Sequence, residues 1–285
     1  MITRYLRLIL CFILTGFIAC FSCYSQEKAK YKCSYQLDFL KDTISMEYFR
    51  QEIYIVQIGD NVTKGFTYQK FYLDSLRSAN PTLYRNLFNA SVKESIEAMR
   101  RTGDVTHASN NSFSYGGFVA DLYKDYKKQE IRVVDILSTQ SIVYKDELKP
   151  QDWEILEDTL TILGYQCQKA KCHYRGRDWE AWFTPEVPLS EGPWKFYGLP
   201  GLITKLHDTK KHYSFELIGF QEVNEKMDTK IPKDVQKMDR LEFIKITKSG
   251  KAELMNQAAL ERMGIKSSGT PPSQRQYDPI ERSSE

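Results

Sequence analysis

Glu186 and Glu191 stand five residues apart in a stretch rich in Pro and Gly. Glycoside hydrolysis uses a carboxylate pair of this kind, one acid holding its proton and the other ionised. No nucleophile, base and orienting partner can be assembled around them from the sequence, so the pair defines no catalytic site. His207 and His212 bracket the turn Asp208-Thr209-Lys210-Lys211, and a cross-strand pair there would bring two imidazoles within reach of one metal ion. Two ligands make a weak site and the two lysines repel a cation, so a solvated turn outweighs a metal centre. Arg175 and Arg177 flank Gly176, with Asp178 and Glu180 just beyond. They read as an anion-binding fork or, with more weight, as a cross-strand ladder of ion pairs.

The densest group is aromatic: Trp179, Trp182, Phe183, Trp194, Phe196 and Tyr197. Rings bury much area and keep a polar tip, which suits an apolar, amphipathic or sugar-like ligand. Trp182, Trp194, Phe196 and Tyr197 are therefore the candidate ligand-lining residues. The competing reading, a β-core whose rings fill the junction between sheet and loop, carries more weight. Trp179 and Trp182, three apart on a strand, face opposite ways unless the strand bulges. Nothing in this constellation calls for a cofactor or a metal, and none is expected.

The run Gly192 to Ile203, GPWKFYGLPGLI, supplies geometry rather than chemistry. Pro200 presets φ for the second position of a β-turn, and Gly201 offers the positive φ that a type II turn needs at the third. Leu202 and Ile203 then open a strand. Gly198, Leu199, Pro200, Gly201, Leu202 and Ile203 are thus structural residues, and their spacing fits neither a phosphate loop nor a dinucleotide fingerprint.

With this run the chain resembles the GLPGLI family, envelope proteins of Bacteroidota without an assigned activity. The resemblance extends through GYQCQKA at 164–170 and YRGRDWEAWFTPEVPLSEGPW at 174–194, and more faintly along most of the chain. It implies an exported, single-domain, mostly β protein and carries over no catalytic residue. It also brings a short O-glycosylation pattern, matched at Asp42-Thr43-Ile44, Asp74-Ser75-Leu76 and Asp158-Thr159-Leu160.

The first residues read as an export signal: Arg4 and Arg7, then LILCFILTGFIACF from Leu8 to Phe21, then small residues. Fourteen residues are too few to span a bilayer comfortably. Cleavage by signal peptidase I is expected after Ser25, giving a signal peptide at 1–25 and no transmembrane span afterwards. Lipidation at Cys20 is the rival, weakened by an aromatic where the motif wants an aliphatic residue. Without Arg4 and Arg7, 38 basic residues face 37 acidic ones, a balance that argues against nucleic acid. Cys33, Cys167 and Cys172 remain, so at most one internal disulfide can form. Cys167 and Cys172 on one strand would lie about 16 Å apart, beyond the bridging limit of about 7 Å. Cys33 with either of them is open, and free buried thiols carry more weight.

Positioning falls to strands at Tyr31–Phe39, Ile53–Ile58 and Val62–Phe71, the last two a hairpin over Gly59-Asp60-Asn61. A helix follows at about 81–102: Asn80 as N-cap, Pro81 at its first position, Gly103 as its stop. Its stripe Tyr84, Phe88, Val92, Ile96 and Met99 is expected to face the core. Residues 104–117 read as a loop. Strands resume at Val119–Tyr126, Ile131–Leu137, Ser141–Tyr144, Trp153–Leu156, Tyr165–Arg175, Arg177–Phe183, Ile203–His207 and His212–Phe220. Helical pieces are expected at about 240–263, opened by Asp239 with Glu242 as a capping box and interrupted at Ser249-Gly250.

The fold class is α+β, mostly β: one large curved antiparallel sheet, half-barrel or sandwich-like, in one domain at 26–265 with a tail at 266–285 that is flexible or docked late. Functionally the sequence points to a non-catalytic exported envelope protein of the periplasm or outer envelope. It would carry an apolar or amphipathic ligand, or else recruit an envelope protein partner. A deep groove lined by the rings would favour the first and a solid core the second.

Overall fold

The computed structural model describes residues 27–40, 49–102, 118, 120–137, 140–248 and 280–282. The export segment, the loop at 104–117, the helical piece at 252–263 and most of the tail lie outside these. Twelve strands form one sheet: β1 Lys28–Leu40, β2 Phe49–Ile58, β3 Val62–Thr67, β4 Asp121–Asp125, β5 Glu130–Leu137, β6 Gln140–Glu147, β7 Glu154–Ile162, β8 Tyr165–Tyr174, β9 Arg177–Thr184, β10 Leu202–Asp208, β11 Tyr213–Lys226 and β12 Gln236–Lys237.

The order β12-β6-β5-β4-β3-β2-β1-β11-β10-β9-β8-β7 puts β1 at the centre of two meanders. β1 pairs antiparallel with β2 on one side and with β11 on the other, joining Lys28 to Lys226. Every pairing is antiparallel except the two-residue β12 against β6. The sheet is open, ending at β7 and β12, and it curls. Arg175, in the β8–β9 turn of one wing, reaches Asp146 in β6 of the other at 2.8 Å. One core fills the concave side, drawn from both wings and including Tyr35, Leu37, Tyr54, Val133, Tyr144, Trp179, Phe183 and Phe215.

Among the described residues, the outer face is covered over β2–β3 and over β4–β6. Over β2 and β3 lies α1, Tyr68–Ala79, with Leu73 sealed beneath it. Over β4 to β6, Ile231 and Val235 pack on Tyr123, Val134 and Val143. α2, Pro81–Thr102, follows α1 and packs against it. α3, Arg240–Lys248, rests on β6 and stacks Phe243 on Tyr144 with centroids 5.3 Å apart. The N-caps behave as their residue types require: Asn80 Oδ1 accepts the Leu83 amide at 3.0 Å, and Asp239 Oδ1 accepts those of Leu241 and Glu242.

Two expectations need correction. The strand read as Val62–Phe71 stops at Thr67, and its last four residues begin α1. The stripe on α2 does not face the core: Phe88 and Val92 are exposed, Tyr84 and Ile96 half-buried, and the sealed positions are Ser91 and Ser95, while the Met99 side chain lies outside those described. α2 meets another helix rather than the sheet, and small residues let two helix backbones approach. Of the tail, expected to be flexible or docked late, Ile280 and Glu281 are buried, and the Arg282 amide donates to the Arg175 carbonyl at 2.8 Å. A buried apolar side chain and a paired carboxylate supply the docking energy that the tail's composition hides.

Candidate functional site

Between β9 and β10 the chain leaves the sheet, crosses the concave side and returns. Backbone bonds shape this excursion: Leu202 N to Val187 O at 3.1 Å, Ile203 N to Glu191 O at 2.9 Å and Phe196 N to Pro193 O at 3.2 Å. Side chains from other elements fasten it. Gln151 donates to Lys195 O at 3.3 Å and accepts from Tyr197 N at 3.0 Å, and the Trp153 indole donates to Tyr197 O at 2.9 Å. From the central strand, Tyr35 OH donates to Ile203 O at 2.8 Å. Every one of these bonds is buried or half-buried, where an unmade partner would cost about 1–3 kcal/mol.

The glycines are there for space as much as for φ. Gly201 adopts φ +154°, and a Cβ on it would lie 2.1 Å from the Thr184 carbonyl oxygen. Gly198 adopts φ +98°, and its Cβ would strike Pro150 at 2.6 Å. The turn itself is tighter than a type II β-turn: Gly201 N donates to Leu199 O at 2.8 Å, a three-residue closure around Pro200. Leu199, Leu202 and Ile203 enter the core from either side of it.

The candidate rings divide. Trp194 is 3% exposed and Phe196 1%, and both pack into the core with Tyr197 at its edge. Phe196 lies 4.6 Å from Trp179 and 5.3 Å from Tyr174 between ring centroids, and Trp194 lies 4.8 Å from Phe118. Trp182 does not join them. Strand alternation sends it to the opposite face, as expected, where Lys169 stands over its ring. Trp194 also holds φ +53°, strained for a bulky residue, and its indole N–H has no hydrogen-bond partner among the described residues.

Two buried charge clusters anchor the excursion, and sequence reading found neither. In the first, Lys124 from β4 is wholly buried, its Nζ 2.9 Å from Glu191 Oε2, 2.9 Å from Phe196 O and 3.2 Å from Gly192 O. Glu191 Oε1 accepts from Thr63 at 2.5 Å and from the Tyr126 hydroxyl. Burial lowers Lys124 below the ordinary lysine range, against the pull of Glu191. In the second, Lys195 Nζ lies 2.9 Å from Asp146 Oδ2 and 2.6 Å from Glu281 Oε1, while Arg240 holds Glu281 at 2.8 Å. Burial alone would raise Asp146; Lys195, Arg175 and Arg240 together hold its carboxyl below the usual range. The signal for Lys124 was its phase: it shares the inward side of β4 with Leu122. The partners lie 67 and 86 residues apart in sequence, beyond any local pattern.

The remaining candidates have ordinary duties. Glu186 accepts the Gln166 amide at 2.7 Å and Glu191 is committed to Lys124, so the two acids form no pair. His207 pairs in register with Ser214 rather than His212 and lies 3.3 Å from Glu180. Arg177 turns inward to Asp208 at 2.9 Å, both sealed, while the surface ladder is built by Lys169–Glu180 and His173–Asp178. Cys33, Cys167 and Cys172 are free and buried. Burial pushes the Cys33 and Cys172 thiols up to about 12, which keeps them protonated and unreactive at neutral pH. Ser75 and Thr159 of the glycosylation pattern are exposed, on α1 and β7, and Thr43 lies outside the described residues. Among the described residues no group of three or more His, Cys, Asp or Glu is arranged to hold a metal ion, and no helix is long and apolar enough to cross a membrane.

An α+β fold built on one large open antiparallel sheet is thus established, with a loop fixed across its concave side. A family model described as "N-glycanase peptide, N-terminal domain" matches residues 107–243, slightly less than half of the chain. Among solved structures, that of PNGF-II in the C2 space group aligns over 77% of this chain and 32% of that one, at 16% identity and a TM-score of 0.47. PNGF-II in the P21 space group aligns over 76% and 33%, at 16% identity and a TM-score of 0.46. The chain spans about a third of the length of these proteins. No curated protein matches it.

Proposed function

We propose that the protein is a non-catalytic interaction module of the cell envelope, a member of the GLPGLI family it resembles, exported by its N-terminal segment. Its working surface would be outside the sheet, not inside. The observation that carries this reading is the division of its large apolar side chains. Those of the motif loop are sealed, whereas Tyr68, Phe71, Tyr72, Leu83, Leu87, Phe88 and Val92 stand exposed on α1 and α2. These are seven of the thirteen exposed large apolar side chains among the described residues, and a contiguous exposed apolar patch marks an interaction site. The family model's description as an N-terminal domain fits a module that works beside other parts. The test is to replace Phe88 by Asp and compare what the folded variant and the parent retain from the envelope. A lost association supports the module, and an unchanged set of associates refutes it.

Carriage of an apolar or amphipathic ligand is the second reading. It is favoured by two buried groups that have no hydrogen-bond partner among the described residues, the Trp194 indole N–H and the Tyr54 hydroxyl, both belonging to side chains that touch Phe118. A polar tip of a ligand seated there would satisfy them. Trp194→Ala should then release a ligand seen by native mass spectrometry while the protein stays folded. Equal retention by the folded variant removes this reading.

A further inference from the structure

α1 and α2 form a hairpin on the outer face of the sheet, with α1 against β2 and β3 and α2 against α1. Leu73 of α1 is fully buried beneath it, and Lys70 Nζ is 2.8 Å from Asp121 on β4. α2, at about 1.5 Å per residue, runs about 33 Å and packs against α1 rather than the sheet. At about 100° per residue its sealed Ser91 and Ser95 form a seam, with Leu83 and Leu87 on one flank and Phe88 and Val92 on the other. Phe71 is 51% exposed and Phe88 42%.

Charge selects the occupant of this surface. The hairpin carries six basic residues, Lys70, Arg77, Arg85, Lys93, Arg100 and Arg101, against the three acids Asp74, Glu94 and Glu97. Its net charge of +3 exceeds the +1 of the chain without Arg4 and Arg7, so the remainder, with 32 basic and 34 acidic residues, is slightly negative and the positive excess is concentrated here. A second copy of the hairpin would bring +3 against +3, which opposes self-pairing. Exposed Leu, Phe and Tyr beside Lys and Arg are the composition of a helix lying in a lipid interface, apolar groups in the acyl boundary and cations at the headgroups. We propose that the α1–α2 hairpin docks the protein on an anionic lipid surface. This rests on reading the hairpin as the working surface.

The test is co-sedimentation with vesicles, using the protein purified from cells that export it. Vesicles of phosphatidylcholine alone are compared with vesicles containing phosphatidylglycerol, for the parent, Leu87→Glu/Phe88→Glu and Arg100→Glu/Arg101→Glu. All share one N-terminus, so an anchor there cannot produce a difference. The expected result is binding that needs phosphatidylglycerol and falls by at least about tenfold in both variants. It should also weaken between about 0.1 and 1 M salt, as the screening length shrinks from about 10 to 3 Å. Circular dichroism checks that each variant is folded. Equal binding by the folded variants, or none by the parent, overturns the lipid proposal. If vesicles fail while Phe88→Asp still removes a protein associate, the interaction-module reading survives and the lipid partner does not. Self-association abolished by the same substitution assigns the surface to a second copy instead.

Discussion

Lys195 Nζ lies 2.6 Å from Glu281 Oε1 with both side chains sealed, so the residue after Trp194 in the motif loop is held by a residue four places from the end of the chain. The loop and the C-terminal segment therefore stabilise each other. Removing residues 280–285 takes Glu281 from a cluster in which Lys195, Arg175 and Arg240 also lie on Asp146. Loss of one member of a buried ion cluster costs about 3–5 kcal/mol. Urea unfolding should show a loss of that order, and an unchanged midpoint would mean that the tail contributes nothing.

Lys124 and Glu191 make a second such pair, 2.9 Å apart. Lys124→Met should cost about 3–5 kcal/mol, because it strands a buried carboxylate. Adding Glu191→Gln removes the stranded charge and should return a large part of that loss. A double-variant cycle checks this: two independent, additive losses would show that the ions are not coupled.

Gly201→Ala should cost roughly 3 kcal/mol, since its new Cβ would meet the Thr184 carbonyl oxygen at 2.1 Å and neither backbone can yield cheaply. Gly164 is the control. It also has positive φ, at +83°, but nothing within 4 Å of an added Cβ, so Ala there should cost only about 1 kcal/mol. Equal thermal shifts for the two variants would mean that conformation, not space, sets the cost at Gly201.

Half-buried Asp135 has its carboxyl pushed up to about 6, by burial first and by Asp121 nearby, against a bond from the Ile136 amide. An unfolded Asp titrates near 3.9. Between about pH 4 and 6 the folded chain thus holds a proton that the unfolded chain has released, and stability falls as pH rises through that window. Asp135→Asn should flatten this slope. Urea midpoints at pH 4 and 6.5 measure it, and identical changes in parent and variant would contradict the assignment.

Local chemistry was legible and distant pairing was not. Asn80-Pro81 announces α2 because a cap and a preset φ need no tertiary help, and the β10–β11 turn is written in Asp208 to Lys211. The chain at 68–71 misleads because the β-favouring aromatics Tyr68 and Phe71 prolong the composition of the strand before it, whereas the helix they open docks on β2 and β3 with Leu73 buried. The α2 stripe misleads in a second way: periodicity reports an apolar face but not what that face meets. At the motif loop the sequence disclosed the turn glycines and the opposite facing of Trp182. It hid Lys124, Asp146 and Glu281, whose partners arrive from other strands and from the tail. A buried lysine looks like any surface lysine until its carboxylate is known.

The central claim is that the motif loop is a fixed part of the core and that the protein works through its outer surface. Native-state hydrogen exchange across Gly192 to Ile203 tests it most directly. The amides of Phe196, Tyr197, Gly201 and Ile203 should exchange only on global unfolding, at the free energy seen for Tyr35 and Leu37 in the central strand. Exchange of those amides through a separate, lower-energy opening would show that the loop lifts, exposing Trp194 and Phe196 to a ligand, and would contradict the account.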